Sequence, residues 1–78
     1  MSDSPFMKQL VYERRLLEAI GSQSAYQYSS VLECLSMGYC SVQAVSDALE
    51  LAREQNCASS IVVTLKNHLD NMMGQEHQ

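Results

Sequence analysis

Tryptophan is absent from this chain, and proline and phenylalanine occur once each, side by side at Pro5 and Phe6. After Pro5, therefore, nothing removes a backbone N–H or clashes with a preceding turn, and helix is permitted everywhere. Glycine is scarce too: Gly21, Gly38 and Gly74 are the only three. No apolar run approaches the roughly 18 residues that mark a membrane span. Lysine and arginine number five against nine acids, a net charge of −4, and Arg14-Arg15 is the one local basic pair. Binding to a phosphate backbone draws on clustered cations, so nucleic acid is excluded as the expected partner. Cys34, Cys40 and Cys57 are odd in number and contain no CxxC. That excludes a disulfide framework and favours free thiols in a reducing compartment. His68 and His77 complete no zinc-ligand spacing with them, so no metal is expected. Met1–Pro5 lacks the basic and apolar stretches of a signal peptide. The expected setting is intracellular, in the cytoplasm with the nucleus left open.

What is present is a dense, dispersed set of apolar residues, 46% of 78. This suffices for one compact core, though a core of this size supplies only about 3–5 kcal/mol of net stability. The spacing is helical nearly throughout. Ser4 as cap and Pro5 at the first helical position start a helix over 5–20. Its apolar positions are Phe6, Leu10, Leu17 and Ile20, flanked by Met7 and Val11, and Gly21 is the expected left-handed stop. Ser24 with Gln27 forms a candidate capping box for a second helix over 25–36, whose apolar positions are Ala25, Tyr28, Val31, Leu32 and Leu35. Ser41 caps a third over 42–54, with Val42, Val45, Ala48, Leu49 and Ala52 on one face. A fourth runs over 58–72 through Ala58, Ile61, Val62, Leu65, Leu69 and Met72. Its run Ile61–Thr64 also suits a strand by β-branching, but the stripe continues at helical spacing. The fold class is all-α, four helices in a single domain over 5–73. Residues 1–4 and 74–78 are expected to be flexible ends. Short loops predict that sequential helices pack as neighbours.

One loop carries chemistry. In Leu35-Ser36-Met37-Gly38-Tyr39, Gly38 permits a sharp turn with positive φ. That turn can hold Met37 and Tyr39 out of the core, pairing a polarizable thioether with an aromatic ring. The same two side chains can instead close the core from its edge, and both readings stand at this stage.

With Leu32 and Leu35 before this loop, Ala48-Leu49 in the following helix, Asn56 near the next loop and Ile61, Val62 and Leu65 beyond it, residues 27–70 resemble the ubiquitin-associated (UBA) family. The resemblance implies a compact three-helix bundle over 25–72, preceded here by the additional helix 5–20. It also implies recognition of the hydrophobic patch of ubiquitin by Met37, Gly38 and Tyr39, joined by Val62, Lys66 and Leu69 of the last helix. Lys66 stands where members of the family often carry an apolar residue, and the 42–54 region is slightly longer than usual. These departures motivate a second reading, a UBA-like scaffold that binds itself or another, ubiquitin-like or unrelated, protein. The first helix enters here in two ways. It either covers the bundle or pairs, through Phe6, Leu10 and Leu17, with a second copy. Glu13 interrupts its near-heptad spacing, and two heptads do not make a coiled coil.

Catalysis is not expected. The acids are scattered along helix faces, whereas acid–base work needs two carboxylates converging in a cleft. A cysteine nucleophile needs a base and an orienting group, and the spacing supplies neither. The sequence therefore predicts a non-enzymatic binding adaptor without cofactor.

Overall fold

A computed structural model describes residues 4–75. It is all-helical, with α1 over Pro5–Ser22, α2 over Gln27–Ser36, α3 over Val42–Glu54 and α4 over Ser59–Gln75. The run Ile61–Thr64 is helical, within α4. The described residues form a flat body of 38 × 33 × 17 Å, about two helix layers deep. No helix among them is long and apolar enough to cross a membrane.

Two helix starts follow the sequence. Ser4 accepts a hydrogen bond from the Met7 N–H at 3.1 Å, with Pro5 at the first helical position. Ser41 accepts from the Ala44 N–H at 3.2 Å. Each satisfies one of the orphan donors of a first turn.

Three ends differ from expectation. Gly21 does not stop α1. The helix runs on through Ser22, whose hydroxyl donates to the Ala19 carbonyl, and Gln23 takes the left-handed conformation at φ 54°. The capping box at Ser24 and Gln27 does not form either. Gln27 instead sends its side-chain N–H back to the Ile20 carbonyl at 2.8 Å. That carbonyl lies in the last turn of α1, where acceptors lack intrahelical donors, and it also receives the Cys57 thiol at 3.6 Å. At the far end, α4 continues through Gly74 and Gln75. Of the expected flexible ends, residues 1–3 and 76–78 lie outside the described residues, as does His77.

Asn56, in contrast, closes α3 as a left-handed cap at φ 55°. The Cys57 N–H reaches the Ala52 carbonyl at 3.0 Å and the Asn56 N–H reaches the Arg53 carbonyl at 3.2 Å. This is the paired hydrogen-bond pattern of a Schellman ending.

The core draws on every helix. It holds Leu16, Ala19 and Ile20 from α1; Val31, Cys34 and Leu35 from α2; Val45, Ala48, Leu49 and Ala52 from α3; Ile61 and Leu65 from α4; and Cys40 from the loop between α2 and α3. Val62, Leu69 and Met72 are half-buried against it. The faces of α3 and α4 are largely those the apolar spacing predicts. That of α1 is not. Of Phe6, Leu10, Leu17 and Ile20, only Ile20 is buried, and the inward stripe is Tyr12, Leu16, Ala19 and Ile20. Both sets are spaced for a helix. They lie roughly 100° apart, and only the position of the partner helices selects between them.

Sequential helices pack as neighbours at α1–α2 and at α3–α4, as expected, but not in the middle of the chain. α1 packs on α2 and α3, and α4 packs on α3 and α2. α2 and α3, joined by a short loop, do not approach at backbone level among the described residues. These two are thus diagonal partners, because α1 lies against both. The helix outside the minimal three-helix pattern is part of the core.

Candidate functional site

The corner between α2 and α3 is built by Gly38. Met37 is the last residue with helical geometry, and its N–H still bonds the Glu33 carbonyl at 3.2 Å. Gly38 then turns to φ 77° and donates to the Leu35 carbonyl at 3.2 Å. A Cβ added at Gly38 would meet nothing within 4 Å. The glycine is therefore required by backbone geometry and not by crowding.

The two side chains beside it part company. Met37 is 45% exposed, while Tyr39 is half-buried against α1. The Tyr39 ring stacks on Tyr12, with centroids 5.5 Å apart and planes 20° from parallel. Each ring also has a cation near it. Lys8 Nζ lies 5.6 Å from the centre of Tyr39, and the Arg15 guanidinium carbon lies 5.3 Å from the centre of Tyr12. A stacked pair contributes about 0.5–1.5 kcal/mol beyond area burial. Each partly exposed cation–π contact adds about 0.5–1 kcal/mol. Met7, Lys8, Val11, Tyr12 and Arg15 join Met37 and Tyr39 around a groove of about 290 Å³.

A carboxylate fixes α1 to this corner. Glu13 Oε2 accepts from the Ser41 N–H at 2.9 Å and from the Gln9 side chain at 3.0 Å. Within a capping box, the third helical residue would bond the cap N–H. In α3 that residue is Ala44, which has no side-chain acceptor. Glu13 supplies the missing half from another helix. Burial raises the pKa of Glu13, but hydrogen bonds from Ser41 and Gln9 outweigh it and hold the carboxyl below its ordinary 4.5.

A group with a depressed folded-state pKa contributes stability above its unfolded value and loses it as the pH falls through the folded one. Glu13→Ala should therefore cost about 1.5–2 kcal/mol at pH 7, the lower part of the range for hydrogen bonds to a charged group, because the site is partly exposed. The gap between variant and parent should close as the pH falls below about 4.5. Urea titrations at pH 7 and pH 3 measure it, and an unchanged gap would contradict the assignment.

The residues expected to share one surface are divided. None of Val62, Lys66 and Leu69 lines the groove beside Met37 and Tyr39. Val62 and Leu69 are half-buried against the core, and Lys66 is exposed on α4, 3.2 Å from Asp70. Phe6, Leu10 and Leu17 are exposed at 64%, 47% and 40%. The stacking of Tyr12 on Tyr39, the cations Lys8 and Arg15 beside the rings, and the role of Glu13 escaped the sequence reading. The spacing of Met7, Val11 and Arg15, four residues apart, was the available signal.

Against known protein families, curated proteins and solved structures, the chain matches none.

The remaining chemistry at the corner is apolar. Burial, with Cys34 and Glu13 nearby, pushes the Cys40 thiol up to about 11. Burial and the Glu33 charge raise Cys34, and Arg15 opposes them. Both stay protonated at neutral pH and pack as small apolar side chains. No three metal-ligating side chains converge among the described residues.

Proposed function

We propose that the chain is a non-catalytic protein-recognition module that binds the hydrophobic patch of ubiquitin through the Met37-Gly38-Tyr39 corner. The half-exposed Met37 thioether, set outward at a turn only glycine adopts freely, carries this reading. Methionine's flexible thioether adapts to a partner's apolar surface. Met7 and Val11 of α1 extend the contact from one side. An interface of this extent is weak and transient, and its useful avidity comes from linked ligands or linked modules.

Titrating the isotope-labelled chain with ubiquitin tests it by NMR. Shifts centred on Met37, Gly38 and Tyr39 are expected, with Met37→Glu weakening binding at least about tenfold, the equivalent of 1.4 kcal/mol. A titration that leaves these three amides unmoved rejects the reading.

One observation favours a second reading, a scaffold that self-associates through α1. Phe6, Leu10 and Leu17 point their apolar side chains into solvent along one helix. Sedimentation separates the two. A strict monomer at high concentration rejects self-association and leaves the ubiquitin reading intact.

A further inference from the structure

We infer that the outer face of α1 is a docking site for an acidic amphipathic helix, with Met7, Val11 and Arg15 forming a ridge between two hollows. The inference overlaps the ubiquitin reading at Met7, Val11, Met37 and Tyr39, but it rests on the second hollow and the cations of α1 and does not require that ubiquitin bind.

The shape comes first. Met7, Val11 and Arg15 recur every four residues, so they make a straight row along α1. One hollow, of about 290 Å³, lies between this row and the Met37–Tyr39 corner. The other, of about 450 Å³, lies beside Leu10, Arg14 and Glu18. Each takes one or a few side chains and falls at the small end of the roughly 300–1,000 Å³ typical of small-ligand sites. A ridge with a hollow on either side is what a partner helix engages, laying side-chain rows into both hollows at i, i+3, i+4 and i+7.

The surface is apolar and open. Phe6 is 64% exposed, Met7 54%, Leu10 47% and Val11 45%. A contiguous apolar patch of this kind marks an interaction site more often than an ordinary surface. Its inner side is already anchored to the fold. Tyr12 is stacked on Tyr39 and Glu13 is bonded to Ser41, so α1 is held from its inner side. Preorganisation of this sort lowers the ordering cost of binding.

Charge selects the partner. α1 carries three cations against two acids, whereas the rest of the chain carries two cations against seven acids. One of the two acids of α1, Glu13, is turned to Ser41, and the other, Glu18, borders the second hollow. Lys8 and Arg15 line the first hollow, which no carboxylate lines among the described residues, while Arg14 and Arg15 outnumber Glu18 at the second. A basic rim on an otherwise acidic molecule is complementary to apolar anchors flanked by glutamate or aspartate.

The test uses the intact chain and a labelled helical peptide with leucines at i, i+4 and i+7 and glutamates between them, followed by fluorescence polarisation. The glutamate peptide should bind at least about tenfold tighter than its lysine counterpart, and the difference should shrink between low salt and physiological salt. Lys8→Glu with Arg15→Glu should abolish the preference. Val11→Glu, at an exposed position that leaves the fold intact, should weaken the glutamate peptide at least tenfold. Equal binding of the two peptides overturns the inference, as do NMR shifts confined to α4 or a dimer that buries α1 and excludes the peptide. Ubiquitin is titrated separately, so a failure there leaves this result readable.

Discussion

Leu16→Ala should leave the chain largely unfolded at 25 °C, whereas Leu17→Ala should leave its thermal transition nearly where it was. The two residues are adjacent and chemically identical, and they differ only in where α1 points them. Leu16 has no exposed surface, while Leu17 is 40% exposed. Truncating a buried leucine costs about 2–5 kcal/mol, from lost transfer energy and the cavity left behind. A domain under about 80 residues has about 3–5 kcal/mol to lose. The first substitution removes most of the stability, and the second should cost less than about 1 kcal/mol. Circular dichroism against temperature reads both. If α1 were an appendage on a self-sufficient three-helix unit, Leu16→Ala would leave a cooperative transition, and that result would show α1 to be dispensable.

Two glycines should respond in opposite directions to the same change. Gly21 lies inside α1 with nothing within 4 Å of a built Cβ. Glycine within a helix is destabilising by about 0.5–1 kcal/mol relative to alanine, so Gly21→Ala should stabilise by that amount. Gly38 also has open space, but its φ is +77°. An alanine there costs about 1–2 kcal/mol for the left-handed conformation. Asn should be milder, since it visits that region, and Val more severe, being β-branched. In a domain of this size 1 kcal/mol moves Tm by about 4–8 °C. Gly21→Ala should raise Tm and Gly38→Ala lower it. A fall in both would place Gly21 in a turn after all.

The legible parts of this protein were those governed by local rules. Ser4 and Ser41 sit before apolar periodic runs and cap as such residues do. Asn56 and Gly38 are among the few residues that accept a left-handed backbone, and both are found in it. α3 showed its buried face because Val45, Ala48, Leu49 and Ala52 form a single narrow stripe with charges elsewhere. α1 concealed its own, since apolar residues occupy more than one face and period alone does not choose between them. The Gln27–Ile20 and Glu13–Ser41 bonds join residues 7 and 28 positions apart. Their donors and acceptors are unremarkable in sequence, and no local spacing announces them.

Pattern in the chain by itself determined that this is a four-helix protein, where most of its helices begin, and that a glycine corner sits between α2 and α3. Caps, period and left-handed residues act within a few bonds of themselves, so they survive without knowledge of neighbours. Tertiary packing decided that α1 belongs to the core, that Tyr39 leans on Tyr12 while Met37 faces water, and that a basic apolar ridge is left outside. Those outcomes depend on which of two stripes on α1 meets the other helices, and that is settled only when all four compete for the same interior.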